Sequence, residues 1–183
     1  MESNLKTRKI YLLLTRFPDK GSKVIGMLTG GYYVHASIGL EEDLNTFYSF
    51  VSKGFIVEKI SRYVKPDRPP FPCQLYELKV TEVVYHRIKE ALAHFVEFKG
   101  ILYYSKLGLI LSLLHIPYKR NRFGFFCTQF VADILRHSGA VKLTHKSTCY
   151  FSEDLKGLPG MKLHYQGNLR SMIEHFGLKH SFA

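Results

Sequence analysis

The hydrophobic period changes near residue 81, and that change bounds the fold. Before it, apolar and β-branched residues come in short runs between turn signals, the pattern of strands. Lys9–Thr15 is a short apolar strand. YYVHASIGL (Tyr32–Leu40) and TFYSFV (Thr46–Val51) flank the acidic turn Glu41-Glu42-Asp43, and GFIVEKI (Gly54–Ile60) follows. Cys73–Val80 comes after the Pro-rich connection Lys65–Pro72. In this half only Ser22–Leu28, closed by Gly30-Gly31, reads as a helix. From Thr81 onward the spacing is helical. Thr81 is an N-cap, Glu82 lies in the first turn, and Val84, Ile88, Leu92, Phe95 and Val96 share one face through Phe98. Leu107–His115 is a second helix, stopped by Pro117, and Thr128–His137 a third, ended by Gly139. A short helix starts at Ser152, and Met161–Gln166 returns as a strand. Strands early and helices late predict an α+β fold with a mostly antiparallel sheet, residues 1–183 forming one domain.

Composition narrows the setting. With 46% hydrophobic and 22% charged residues the chain is globular rather than disordered. Three widely spaced cysteines, Cys73, Cys127 and Cys149, exclude a disulfide scaffold and point to a reducing compartment. The apolar run Ile10–Leu14 is too short for a signal peptide, and Ile101–Ile116, interrupted by Lys106, falls short of a spanning helix. The expectation is a soluble, cytoplasmic protein. A net charge of +11 favours anionic partners without identifying one. The densest basic run is Lys119, Arg120 and Arg122. Neither a zinc-finger spacing nor an RNA-binding aromatic signature accompanies it, so no specific nucleic acid is expected. Gly21 and Gly26 lack the Lys-Ser/Thr that completes a phosphate loop, and no HExxH or CxxC occurs. No cofactor and no metal is expected.

Chemistry is legible around Cys127. In RFGFFCTQFVADILRHSGA, an irregular segment leads into an amphipathic helix whose core face is Phe130, Val131, Ile134 and Leu135. Cys127 falls at the helix start, where unpaired N–H groups and the helix dipole favour a thiolate. His35 lies on a strand and is followed by the small Ala36. An imidazole on a strand facing a thiol on a helix tip is the geometry that activates a cysteine nucleophile. Gln129 reads as a first-turn polar residue, and the N–H of Cys127 itself is the expected oxyanion donor.

These two segments resemble a known group of enzymes. FCTQFVADIL followed by His-Ser-Gly-Ala is similar to the nucleophile helix of the papain-like NlpC superfamily of cysteine hydrolases, and HASIGL followed by TFYSF to its histidine strand and the strand after it. Here His35 precedes Cys127, the reverse of the usual order. That order resembles the circularly permuted branch, which includes YiiX-like proteins and the lecithin:retinol acyltransferase group. The resemblance runs from about Leu5 to about Gly167. It implies a permuted papain-like fold and a third polar residue that orients the imidazole. On the strand after the His this chain offers Tyr48 and Ser49. Ser49 fits if the intervening loop carries two extra residues, Tyr48 if it carries one, and Glu58 on the following strand is the nearest carboxylate. Ser49 is preferred.

The expected function is a thiol hydrolase (a cysteine peptidase or amidase) or an acyltransferase. Cys127 attacks an amide, ester or thioester, with His35 as general base and Ser49 or Glu58 steadying the ring. The substrate would be a peptide, an acyl group or lipid-like. The alternative is an inactive papain-like fold or a basic binding module for anionic lipid or nucleic acid. Leucine and isoleucine lie nearly all round Ile101–Ile116, which predicts burial in the core. The competing expectation is a cleft wall beside the nucleophile, with the cations after it making weak contact with an anionic membrane surface.

Overall fold

The computed structural model describes residues 6–17, 20–65, 69–116, 118 and 121–178. Lys119 and Arg120 of the basic run lie outside them, as do Pro117 and part of the Pro-rich connection. The architecture is α+β. Strands β1 (Thr7–Thr15), β2 (His35–Leu40), β3 (Thr46–Val51), β4 (Gly54–Lys59), β5 (Pro72–Thr81) and β8 (Lys162–Asn168) form one antiparallel sheet in the order β4-β3-β2-β1-β5-β8. Two-residue strands β6 (Tyr103–Tyr104) and β7 (Gly124–Phe125) pair in parallel beside it. Six α-helices occur among the described residues: α1 (Lys20–Thr29), α2 (Glu82–Glu97), α3 (Lys106–Leu113), α4 (Cys127–Ser138), α5 (Ser152–Lys156) and α6 (Leu169–His175).

The central strand explains the rest. β1 is apolar at every position from Ile10 to Leu14, without alternation. Such a run suits a strand whose sheet is covered on both faces. On one face Ile10, Leu12 and Leu14 pack with Tyr85, Ile88 and Leu92 of α2 and Phe130, Val131 and Ile134 of α4. On the other, Tyr11 and Leu13 pack with Cys73 and Leu75 of β5 and Leu169, Met172 and Ile173 of α6. Helix α6 is absent from the sequence expectations. Its apolar triplet and its N-cap, Asn168 accepting from the Ser171 N–H, fit within seven residues, too few for a periodic pattern to stand out.

The helices obey their local signals. The Thr81 side chain accepts from Val84 N–H at the start of α2. At the end of α4, Gly139 takes the left-handed conformation (φ 81°) that closes a helix without a Cβ clash. The expectation for Ile101–Ile116 is corrected. Its helix is short, and it turns Gly108 and Ser112 inward while Leu107, Ile110, Leu114 and Ile116 stand exposed. At Gly108 a Cβ would lie 2.5 Å from the hydroxyl oxygen of Ser105, the helix's own N-cap.

Coverage of both faces sets an expected outcome. Leu13→Ala and Leu14→Ala, on opposite faces and each at most 1% exposed, should each destabilise by about 2–5 kcal/mol in urea unfolding. A large loss at Leu14 alone would show that α6 does not seal the second face.

Candidate functional site

The site forms where the start of α4 meets the start of β2. His35 is the first residue of β2, opposite Thr15 in the register with β1, and the Val34 N–H donates to the Thr15 carbonyl at 3.2 Å. Helix α4 packs on β2 and β3, and its first residue is Cys127. The thiol donates to the Val34 carbonyl oxygen at 3.8 Å, and the sulfur lies beside the His35 ring at the wall of the same cleft. The N-cap is Phe126, whose side chain cannot accept a hydrogen bond, so no side chain caps the first turn of α4. Its N–H groups surround the sulfur's end of the helix.

Strand register brings the carboxylate. His35, Ser37 and Gly39 alternate onto one face of β2. Gly39 pairs with Phe47, and Phe47 pairs with Glu58 on β4. A Cβ at Gly39 would sit 2.7 Å from the Phe47 ring, so glycine is what leaves room for that ring over β2. Glu58 then reaches back: its Oε1 is 2.9 Å from His35 Nε2 and accepts from the Ser37 hydroxyl at 2.8 Å. The Ser37 oxygen is also 3.2 Å from Nε2. With Nε2 committed to Glu58, Nδ1 is the ring nitrogen left for the thiol. Phe17 covers the imidazole (ring centroids 5.1 Å) and in turn contacts Tyr63 and Phe71.

The preferred third residue is corrected. Ser49 is fully buried and donates to the Ala36 carbonyl oxygen at 2.6 Å, tying β3 to β2 through the backbone and leaving the ring alone. Tyr48 projects to the opposite face and stacks on Phe55. The carboxylate wins by reach: Glu58 spans the width of a strand, which a serine hydroxyl does not. Ser37, two residues from His35 and so on the same face of β2, is a further member of the site that the two motifs do not single out. Tyr63, whose hydroxyl hydrogen-bonds Glu58, sits in a 3₁₀ turn after β4 and gave no local signal.

Electrostatics follow from burial and pairing. Burial alone would lower the His35 pKa, but the Glu58 charge and hydrogen bonds with Cys127 and Glu58 override it and raise it from 6.5 to about 10. Burial pushes Glu58 up, yet the His35 charge and donors from His35, Ser37 and Tyr63 hold it below the usual carboxylate range. The pair is therefore an imidazolium–carboxylate at neutral pH. Tyr104, beside Cys127, is raised by burial and keeps its hydroxyl proton. Burial also pushes the Cys73 thiol up to about 12, whereas Cys149 is exposed.

Cys127 and His35 open into a cleft of about 510 Å³ whose other walls include Val34, Phe50, Tyr104 and Ile110. A second hollow of about 460 Å³ between α2 and α4 is lined by Arg87, His94 and Asp133 and contains no cysteine. Gln129 is fully buried with no hydrogen-bond partner for its amide among the described residues, and it does not line the cleft. No group of three or more His, Cys, Asp or Glu among the described residues has metal-site geometry. No protein-family model matches this chain, and no curated protein does either.

His35 holds its proton more tightly when folded than when unfolded. The pair therefore contributes stability in full below the unfolded value of 6.5, and that contribution is lost as the pH climbs through about 10. Glu58→Gln should bring the His35 titration, followed by NMR of the ring, down toward neutrality and flatten the alkaline loss of stability. An unchanged His35 titration would mean that Glu58 is not its partner.

Proposed function

We propose that the protein is a thiol hydrolase or acyltransferase of permuted papain-like fold, with Cys127 as nucleophile, His35 as its acid–base partner and Glu58 as the group that orients His35. The observation that carries this reading is the buried His35–Glu58 pair set against a cysteine at an uncapped helix start, on the floor of a cleft. Structural cysteines lack such company. Cys73, by contrast, lies among apolar side chains and touches Met172.

The chemistry runs in two halves. The proton shared between Cys127 and His35 rests on the ring at the outset, and the sulfur adds to a carbonyl carbon of an amide, ester or thioester. The developing oxyanion is met by N–H groups at the start of α4, with the protonated Tyr104 hydroxyl as a further donor in the cleft. The tetrahedral intermediate collapses: the bond from carbon to nitrogen, oxygen or sulfur breaks, and His35 returns its proton to the leaving group. An acyl-thioester on Cys127 remains. Water or an amine then gives a proton to His35 and attacks the same carbon, expelling the sulfur and restoring the starting pair. Glu58 keeps Nε2 occupied throughout, so Nδ1 stays aimed at the sulfur.

Assay against one ester, one amide and one thioester tests this directly. Cys127→Ala should abolish turnover, and Glu58→Gln should lower kcat/KM by roughly 10²- to 10⁴-fold, the usual worth of an oriented acid–base group. Ser49→Ala should keep most of the activity. Turnover that survives Cys127→Ala, or no turnover of any of the three classes, would overturn the assignment.

A further inference from the structure

Helix α3 is built inside out for a chain in water. The residues it buries are Gly108 and Ser112, four apart on one face. The residues it exposes include Leu107 (67%), Ile110 (51%) and Leu114 (62%), spaced i, i+3, i+7 on another. A surface helix ordinarily does the opposite. On that inward face Gly108 leaves room for the side chains of Ser105, the helix's own N-cap, and Tyr118. Ile110 and Leu109 also line the cleft that holds Cys127, and so does Ile25 of α1. Two residues further along α1, Met27 (76%) and Leu28 (65%) are exposed as well. The apolar surface thus lies on the two helices that frame the cleft, where an exposed patch marks a contact site.

Charge decides among occupants. A second copy would bring another +11 against the first and be repelled. The cleft lining contains no acidic residue, and it includes Lys106, immediately before Leu107. Exposed Lys53, in the turn between β3 and β4, follows Ser52 of the same lining. An apolar helix face flanked by lysines matches an anionic bilayer surface, with leucines below the headgroups and ammonium groups among them. No described helix is long and apolar enough to cross a membrane. We infer that the α1 and α3 rim docks the cleft mouth onto the interface of an anionic lipid bilayer, so that Cys127 faces the membrane rather than bulk water.

Flotation with vesicles tests this without any substrate. The full chain should bind vesicles of two parts phosphatidylcholine to one part phosphatidylglycerol, bind phosphatidylcholine alone far less, and release with salt. Combining Leu107→Ser, Ile110→Ser and Leu114→Ser should weaken partitioning about tenfold or more with an unchanged melting curve, because these side chains are exposed. A second variant, Lys53→Gln with Lys106→Gln, keeps the apolar stripe and should weaken anionic binding by about fivefold per lysine. Cys127→Ala should bind like the parent, so loss of docking and loss of chemistry are separable. No binding to anionic vesicles, equal binding to both vesicle types, or equal binding by the triple-serine variant would overturn the inference. So would a concentration-dependent dimer that the serine variant abolishes while vesicles bind neither protein.

Discussion

The buried His35–Glu58 pair is the constraint around which the sheet's upper half is arranged. An imidazolium and a carboxylate removed from water each lose several kcal/mol of hydration, and their attraction repays it only when the remaining lone pairs and protons are satisfied. Here Ser37 and Tyr63 both donate to Glu58, and the thiol of Cys127 meets the other side of the ring. Deleting one member of such a pair strands the other and costs about 3–5 kcal/mol. A chain that needed only stability would gain as much from apolar side chains of the same volume. The pair sits beside the Cys127 thiol, where a ring held in one orientation can exchange a proton with the sulfur.

Several features serve that pair at a distance. Gly39 leaves room for Phe47, and the Phe47 pairing puts Glu58 in register with β2. Ser49 clips β3 to β2 next to His35. Phe17, Tyr63 and Phe71 wall the ring from solvent on the side away from the helix. Beneath them α6 seals the second face of the sheet. Helix α3 lines the cleft through Leu109 and Ile110 and turns Leu107 and Leu114 outward. Stability therefore comes from the two packed faces of β1, while the exposed apolar rim is retained at one end.

Much of this was legible in the residues alone. The change of period at Thr81 marked the boundary between strands and helices, because Thr81 caps a helix as its side chain predicts. Cys127 at a helix start and His35 on a strand followed from local pattern. The partner of His35 did not, because register across three strands depends on loop length and on the Gly39–Phe47 contact, neither of which leaves a local trace. Tyr63 was hidden for the same reason. Ile101–Ile116 misled because composition reports how apolar a helix is, not which face is sterically able to pack.

The central claim is that Cys127 and His35 act as one ionising unit, and thiol alkylation measures that most directly. Labelling by iodoacetamide, resolved by mass spectrometry across pH 5 to 8, roughly where an unpaired imidazole titrates, should find Cys127 reacting faster than Cys149 below neutrality. The exposed position of Cys149 makes that result contrary to simple accessibility. His35→Ala should slow Cys127 and leave Cys149 unaffected. A Cys127 rate that trails Cys149 throughout, or one indifferent to His35→Ala, would contradict the account.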